Sequence, residues 1–364
     1  MRVWAAIAVA VVTGVMGVRA HGAPLDGTTL PGDTKWVMHL DVETAQKTRI
    51  WTAMGDRLSN AEARGNVGRN MQPMAEGKKR IQVLADQLGI TLPTGLFDVT
   101  LYGADYASEG SVIRIHAEMD EKHAEELLTK DPTYKREEYT GSVILSWKPK
   151  GKEQANYAGF SAKKFVLFSS DLAVVKKGLD ALDGTGRLAT DSPLNPVPIT
   201  VGAAAGGGRG AGPEQPALWM AGVNLPELPG RGRAESPVLE HLQSASLGIV
   251  PVGPVLGGIH IVARGTADTS NAARDIELMV DGLKGSADLA ATAAGAKPRQ
   301  VALGELMQAI RMSASGQQIE VDFNQRPLAP AQLELLIGLV QQETAAPGGG
   351  RGAAAGGRGA ATQP

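Results

Sequence analysis

An alternating segment near the start of the chain, Lys35 to Val42, constrains the fold more than any other stretch. Its sequence K-W-V-M-H-L-D-V puts Trp36 and other apolar residues on one side and His39 and Asp41 on the opposite side. Such alternation indicates a β-strand. A weaker copy, L-W-M-A-G-V-N-L, lies at Leu218 to Leu225. If the two segments are equivalent strands, the chain is one α+β unit written twice.

The elements predicted after each of these two strands follow a similar order. Each unit reads as strand, helix, two strands, helix, two strands and helix, and frequent hairpins favour α+β over doubly wound α/β. The predicted fold class is therefore α+β: two related units, each a mostly antiparallel sheet with helices on one face, arising by internal duplication. The predicted elements include a hairpin of Phe97 to Gly103 and Ser111 to Met119, helices at Glu121 to Lys130, Leu172 to Leu182 and Val238 to Ala245, and a closing helix at Ala329 to Gln342.

Two stretches rich in Gly, Pro and Arg divide the chain. They cannot bury enough apolar surface to offset the entropy of ordering them, so a flexible linker and a disordered tail are predicted. The predicted organisation is a signal peptide at 1–20, a loose N-terminal segment at 21–34, a first α+β unit at 35–184, a Pro/Gly-rich linker at 185–217, a second α+β unit at 218–343 and a disordered Gly/Arg/Ala tail at 344–364.

The first residues indicate an exported protein. Arg2 precedes an apolar run from Val3 to Val18, and Val18-Arg19-Ala20 offers a small-x-small cleavage pattern. An uncleaved N-terminal anchor is the alternative, although the run is shorter than the about 20 apolar residues that a membrane span needs. Either interpretation places the body of the protein outside the cytoplasm, as a periplasmic or secreted protein. Cleavage would leave no transmembrane span.

Charge and cysteine content exclude several classes of protein. The 36 Lys and Arg residues against 38 Asp and Glu give a net charge of -2, which leaves no electrostatic footprint for nucleic acid. The absence of cysteine excludes disulfides, thiolate metal sites and a cysteine nucleophile. Arg-Gly pieces such as Gly208-Arg209-Gly210 lack interleaved aromatics and are predicted to be solvated linkers. No cofactor is predicted, the expected partner is an unidentified protein or envelope component, and the oligomeric state stays open.

Four polar residues form the candidate site. His39 and Asp41 are two apart on one strand, and His116 and Glu118 have the same spacing in the predicted hairpin, so each pair shares a face. If these strands are neighbours, the four side chains could form an acid–base or metal site. The competing interpretation is the solvent side of a half-covered sheet. The weaker copy favours it, because Gly and Asn there take the places of His39 and Asp41.

Four segments carry a resemblance to known proteins. They are W-V-M-H-L-D-V in the first strand, T-L-Y-G in the predicted hairpin, Y-T-G-x-x-x-x-x-W from Tyr139 to Trp147, and the helix D-L-A-V-V-K-K-G-L-D-A-L-D-G. Together they resemble a group of secreted α+β repeat proteins frequent in planctomycete-type bacteria, over nearly all of Lys35 to Gln342. That group carries no assigned activity, so the resemblance implies a fold and a compartment and no catalytic residue.

Two functions from different classes are compatible with the sequence. The first is an extracytoplasmic, non-enzymatic binding or structural protein. The second is a metal-assisted hydrolase that uses His39, Asp41, His116 and Glu118 on the polar sheet face. The two differ in whether these four side chains converge, because metal ligands must all approach one ion within bonding distance.

Overall fold

The structure is a computed structural model. It describes residues 24–48, 88–92, 95–106, 110–149, 153–197, 213–225, 241–252, 258–293 and 295–325, together with 151, 199–200 and single or paired residues between 52 and 86 and between 329 and 335. The strands are β1 Trp36–Asp41, β2 Leu96–Gly103, β3 Ser111–Ala117, β4 Lys135–Tyr139, β5 Ser142–Trp147, β6 Asn156–Ser161, β7 Phe165–Ser169, β8 Ile199–Thr200, β9 Pro213–Glu214, β10 Leu218–Val223, β11 Leu242–Val252, β12 Gly258–Ala267, β13 Ile310–Ser315 and β14 Gln318–Gln325. The helices with described bounds are α1 Val42–Gln46, α2 Glu121–Leu128, α3 Leu172–Asp183, α4 Ser270–Thr292 and α5 Pro298–Gln308, preceded by a 3₁₀ turn at Gly27–Thr29.

Twelve of these strands form one continuous antiparallel sheet. From edge to edge the order is β13, β14, β12, β11, β10, β1, β2, β3, β7, β6, β5 and β4, while β8 and β9 form a separate pair. At the centre β1 pairs with β10, so the two predicted units contribute to a single sheet. The α+β fold class predicted from the sequence is confirmed.

Local sequence explains where the helices begin and end. Asp120, Asp171 and Thr269 each precede a helix, and each side chain accepts a hydrogen bond from a backbone N–H of the first turn. These caps satisfy donors that have no partner within the helix. α3 ends at Gly184, whose φ of 107° lies in the left-handed region that glycine adopts without strain.

Helices cover both faces of the first half of the sheet. On one face α3 packs against Leu167, and on the other Ala45 of α1 and Ala124 of α2 join a separate buried cluster. This arrangement differs from the predicted cover of one face only. The reason is visible in β5, where Ile144 belongs to the first cluster and the next residue, Leu145, to the second. Strands with apolar side chains on both sides need cover on both sides.

The register of the two central strands, β1 and β10, differs from the alignment that their sequences suggest. Trp36 lies opposite Gly222 and His39 lies opposite Trp219, so the two tryptophans point to opposite faces of the sheet. The match of Trp36 with Trp219 is therefore wrong by one residue, and a one-residue slip exchanges the faces of a strand. A match that keeps the faces places Trp219 at the position of Val37, and both belong to the same buried cluster.

Outward from β1 and β10 the strands follow in the same order. They are β2, β3, β7 and β6 on one side and β11, β12, β14 and β13 on the other. The register is interrupted after Leu96 in β2 and after Leu242 in β11, and both leucines lie opposite an alanine. The hairpin of β4 and β5 extends the outer edge of the first half. These correspondences agree with a duplication, which itself stays a prediction.

Two other segments differ from the predicted elements. The predicted helix from Val238 to Ala245 is wrong in its described part, because β11 begins at Leu242 and pairs with both β10 and β12. Cross-strand pairing on both sides overrides a weak helical pattern. Strand β4 was not predicted, since its exposed sequence K-R-E-E-Y shows no apolar alternation. It forms because β5 offers it an unpaired edge.

The predicted linker at 185–217 begins too early. Leu188 and Leu194 are buried in the same cluster as α3, and the carbonyl of Leu194 accepts a hydrogen bond from Trp219 Nε1 at 2.9 Å. These two leucines supply enough apolar burial to order this part. The Gly-rich stretch 201–212 lies outside the described residues, as do the predicted signal peptide, most of the closing helix and the tail. None of the described helices is long and apolar enough to cross a membrane.

Candidate functional site

The candidate residues of β1 lie inside the fold. His39 is only 1% exposed and Asp41 is buried as well. The solvent-side interpretation is therefore wrong for both, because α3 and residues 24–34 cover this face of the sheet. On β3, which β2 separates from β1, the side chain of His116 is 19% exposed. Glu118 lies just beyond the end of β3 with its side chain 66% exposed.

The four candidate side chains turn to four different partners. These are Thr100 Oγ1 for His39 Nδ1 at 2.9 Å, Thr44 N and Oγ1 for the Asp41 carboxylate at 2.9 and 2.7 Å, Asp98 Oδ2 for His116 Nδ1 at 2.9 Å, and Lys164 Nζ for Glu118 Oε1 at 3.4 Å. The predicted four-residue site is not assembled. Within the described part of the chain, no group of three or more His, Asp or Glu side chains is arranged to hold a metal ion.

Asp98, which the sequence analysis did not single out, lies between the two histidines. Its Oδ2 is 2.9 Å from His116 Nδ1 and its Oδ1 is 3.9 Å from His39 Nδ1. The strand register explains this position, because Asp98 lies opposite His116 and Thr100 lies opposite His39. Alternate residues of β2 point to one face, so Asp98 and Thr100 share the side on which both imidazoles lie.

Arg114 of β3 is the fifth member of this group. Its Nη2 donates to Thr100 Oγ1 at 3.1 Å, while its Nη1 donates to Oγ1 and the carbonyl oxygen of Thr29 at 2.6 and 3.4 Å. The ring of Phe165 lies 5.1 Å from the guanidinium carbon. Burial lowers the pKa of Arg114, and the carboxylate of Asp98 partly opposes that shift. We refer to His39, Asp98, Thr100, Arg114 and His116 as the polar cluster.

Two aromatic rings hold the imidazole of His116. It stacks on Phe165 with ring centroids 4.4 Å apart at an interplanar angle of 27°, and it meets Phe97 edge-on at 4.9 Å. Together with the hydrogen bond to Asp98, these contacts fix the orientation of the ring. Of the five members of the polar cluster, His116 is the one that reaches the surface.

Arg114 Nε and Asp98 Oδ1 are buried and have no hydrogen-bond partner among the described residues. The remaining donors of Arg114 go to hydroxyl and carbonyl oxygens, and no described carboxylate lies within 4 Å of its guanidinium. Buried polar atoms without a partner are rare and costly, so each of them requires a physical account.

Asp41 has a structural role outside the polar cluster. It is the N-cap of α1, where its carboxylate accepts hydrogen bonds from both the backbone and the hydroxyl of Thr44. Burial raises its pKa, the two bonds from Thr44 lower it, and the facing carboxylate of Asp98 raises it again. The net direction is upward, so burial has the largest influence on this carboxyl group.

Sequence reasoning missed Asp98, Thr100 and Arg114, although the pattern held a signal. The predicted hairpin carries D-x-T in its first strand and R-x-H in its second, so polar residues recur at every second position of both. Such positions are usually solvated in a sheet with one open face. They are buried here because residues 24–34 and α3 cover them, and a strand pattern does not reveal that cover.

The second half of the sheet does not repeat the polar cluster. In the match that keeps the faces, Ala221 takes the position of His39. His260, which shares an I-H pair with His116 in sequence, lies near the start of β12 and places its Nε2 2.8 Å from Asp322 Oδ2. The polar cluster therefore belongs to the first half alone.

Helices α4 and α5 carry a different feature, a set of exposed large apolar side chains. α4 runs for 23 residues, yet its buried residues are Ala272, Ala273 and Ile276, all near its start. Further along, Leu278 is 62% exposed and Leu289 is 74% exposed. The α4–α5 surface consists of Leu278, Met279, Leu283 and Leu289 of α4 with Val301 and Leu303 of α5.

Comparison with known proteins adds little to this geometry. No family model and no curated protein matches the chain. Solved structures similar to it include crystal form III of TP0453, a Treponema protein, with 10% identity over 89% of this chain and 100% of that chain at a TM-score of 0.40. Crystal forms I and IV of the same protein are 11% and 9% identical, cover 88% of this chain and 98% and 97% of theirs, and give TM-scores of 0.38 and 0.40. A likeness at this level transfers no function.

Proposed function

We propose that the chain is an extracytoplasmic, non-enzymatic binding or structural protein whose α4–α5 surface contacts a partner in the cell envelope. The observation that carries this proposal is the exposure of large apolar side chains there, above all Leu278 and Leu289. Large exposed apolar patches are uncommon on soluble monomers and mark contact sites. The export signal predicted from Arg2 to Ala20 supports the compartment.

The metal-assisted hydrolase gains no support from the geometry. Asp41 caps α1, Glu118 pairs with Lys164 at the surface, and His39 is enclosed next to Thr100. Elemental analysis of the purified chain tests this half of the proposal. We expect no stoichiometric transition metal; a stoichiometric metal that is lost in His39→Ala and His116→Ala would contradict the non-enzymatic assignment.

A photoreactive residue tests the contact surface. Placed at Leu289 in the producing cells, it should form a covalent adduct with one defined partner on illumination, because position 289 points away from the fold. The matched control is the same residue at Glu138 on β4, an exposed position at the opposite edge of the sheet. A double Leu278→Gln and Leu283→Gln exchange should abolish the adduct at 289 and leave the fold intact. Equal labelling from 289 and 138, or no adduct at 289, would contradict the proposal.

A further inference from the structure

Residues 24–34 form a strap across the polar cluster. The strap is held by Leu25 and Leu30, which are buried in the same cluster as α3, and by backbone hydrogen bonds to residues 186–188, such as Leu188 N to the Leu30 carbonyl at 2.8 Å and Gly32 N to the Gly186 carbonyl at 2.7 Å. Asp33 also pairs with Lys177 of α3. The strap is a short segment with no strand pairing to the twelve-stranded sheet. It can therefore lift from the polar cluster without breaking any ladder of that sheet.

The contact between the strap and Arg114 is unusual for a buried guanidinium. A buried Arg is normally paired with a carboxylate, since an unpaired charge in the interior is costly. Arg114 instead has two oxygens of Thr29 on one terminal nitrogen and an Nε without a described partner. The negative charge that attracts Arg114 most comes from Asp98 of the polar cluster, with a smaller contribution from Asp26 on the strap.

The two Thr29 oxygens both lie against Nη1 of Arg114, a donor that an oxygen of an anion could take in their place. Carboxylates and phosphates match the fork of donors on a guanidinium, and a pair of neutral oxygens matches it less well. The imidazole of His116 lies on the same face, with Nε2 as the ring nitrogen that does not contact Asp98. We infer that the polar cluster is a binding site for a small free oxyanion, a carboxylate or phosphate compound, which the strap closes in this structure by supplying substitute oxygens.

Competition between strap and anion gives the inference measurable consequences. If the anion binds only when the strap is open, its apparent affinity is reduced by the fraction of molecules that are open. Any change that loosens the strap without touching Arg114 must then tighten anion binding. Leu30 suits this purpose, because it is fully buried and belongs to the strap.

Hydrogen–deuterium exchange on the full chain tests the inference directly. Titration with inorganic phosphate should raise the exchange of amides 24–34 to a plateau, while sodium chloride at matched ionic strength should not. A parallel titration with acetate distinguishes a phosphate-type from a carboxylate-type ligand. No change at the strap with either anion, or the same change with chloride, would overturn the inference.

Variants separate a closed binding site from a merely structural strap. Leu30→Ala should lower the half-saturating anion concentration by about tenfold or more, because the open fraction rises by that order when a buried leucine is truncated. Leu145→Ala removes an equally buried leucine on the other face of the sheet and should leave that concentration unchanged. Arg114→Gln should abolish the response, whereas Arg136→Gln at the exposed edge should not. If Leu30→Ala shows no tighter response than Leu145→Ala, the strap is structural only.

Discussion

Thr100 links two buried charged or polar side chains through a single hydroxyl. It accepts a hydrogen bond from Arg114 Nη2 and lies 2.9 Å from His39 Nδ1. Valine has nearly the shape of threonine and lacks the hydroxyl. Replacing Thr100 with valine therefore measures how much the hydrogen bonds of this hydroxyl contribute to the free energy of unfolding.

Thr100→Val should destabilise the protein by about 2–4 kcal/mol, because two buried polar groups lose a partner at about 1–3 kcal/mol each. Denaturant unfolding measures the loss. Thr266→Val is the matched control: Thr266 is a partly exposed strand residue whose hydroxyl is hydrogen-bonded to the side chain of Gln318. It should change the free energy of unfolding by about 0.5 kcal/mol or less. Equal losses in both variants would show that the polar cluster adds nothing specific.

Asp41 predicts a pH dependence of stability. Its pKa is raised above 3.8, chiefly by burial, so the folded chain keeps the proton to a higher pH than the unfolded chain does. Stability contributed by the neutral form is complete below pH 3.8 and is lost as the pH rises through the raised value. Asp41→Asn keeps a good N-cap and removes the charge. The variant should be more stable than the parent at pH 7, and the difference should vanish at pH 3 in chemical denaturation. A deficit at pH 7 would mean that the charged bonds from Thr44 outweigh burial.

At the scale of the element, two helical glycines occupy opposite environments. A Cβ at Gly178 of α3 would lie 2.3 Å from Leu167 Cδ2 and 2.4 Å from the Tyr102 hydroxyl, whereas a Cβ at Gly282 of α4 would meet nothing within 4 Å. Glycine is equally unfavourable for helix formation in both. The difference is the closeness of α3 to the sheet, and the open surroundings of Gly282 agree with the exposure of the α4–α5 surface.

Alanine at these two positions should act with opposite sign. Gly282→Ala should stabilise the protein by about 0.5–1 kcal/mol through helix propensity. Gly178→Ala should destabilise it by about 1–3 kcal/mol, because the overpacking against β2 and β7 exceeds that gain. Thermal and denaturant unfolding of both variants measures the two effects. Stabilisation by Gly178→Ala would show that α3 does not pack as closely on the sheet as its position requires.

At the scale of the whole molecule, the two halves are joined by pairing in addition to chain connectivity. β1 pairs with β10 from Trp36 to Leu40, Tyr106 donates its hydroxyl to the Val223 carbonyl at 2.6 Å, and Trp219 lies in the same buried cluster as α3. The junction thus has a backbone ladder and a shared core. Such a junction resembles the interior of a sheet more than a contact between separate domains.

A protease site inserted between residues 201 and 212 tests this continuity. After complete cleavage the two fragments should stay together and elute as one species in size-exclusion chromatography, because β1–β10 pairing and the shared core remain. Ala221→Pro should weaken the association, since Ala221 lies opposite Val37 in a hydrogen-bonded pair of the β1–β10 ladder and proline removes its donor. Separation of the unaltered fragments at micromolar concentration would mean that the junction is a weak domain contact.

Some of the fold followed from short-range pattern. The alternation of β1, the helices that begin after Asp120 and Asp171, and the hairpin of β2 with β3 all depend on neighbouring residues, so the sequence predicted them. The candidate site was predicted only in part. His39 and His116 do lie in one cluster, but their link is Asp98, and Glu118 points elsewhere.

The sequence by itself determined the α+β class, the helix starts and the absence of thiol chemistry, because periodicity, caps and composition are local properties. The tertiary structure alone decided which side of each strand is buried and what covers it, since both depend on strand register and on segments that are distant in sequence. Trp36 and Trp219 lie on opposite faces because the two strands match with a shift of one residue, and the strap that precedes β1 covers the polar positions of β2 and β3 and buries them around Arg114. Burial is a property of three-dimensional neighbours, and a strand's own pattern does not contain them.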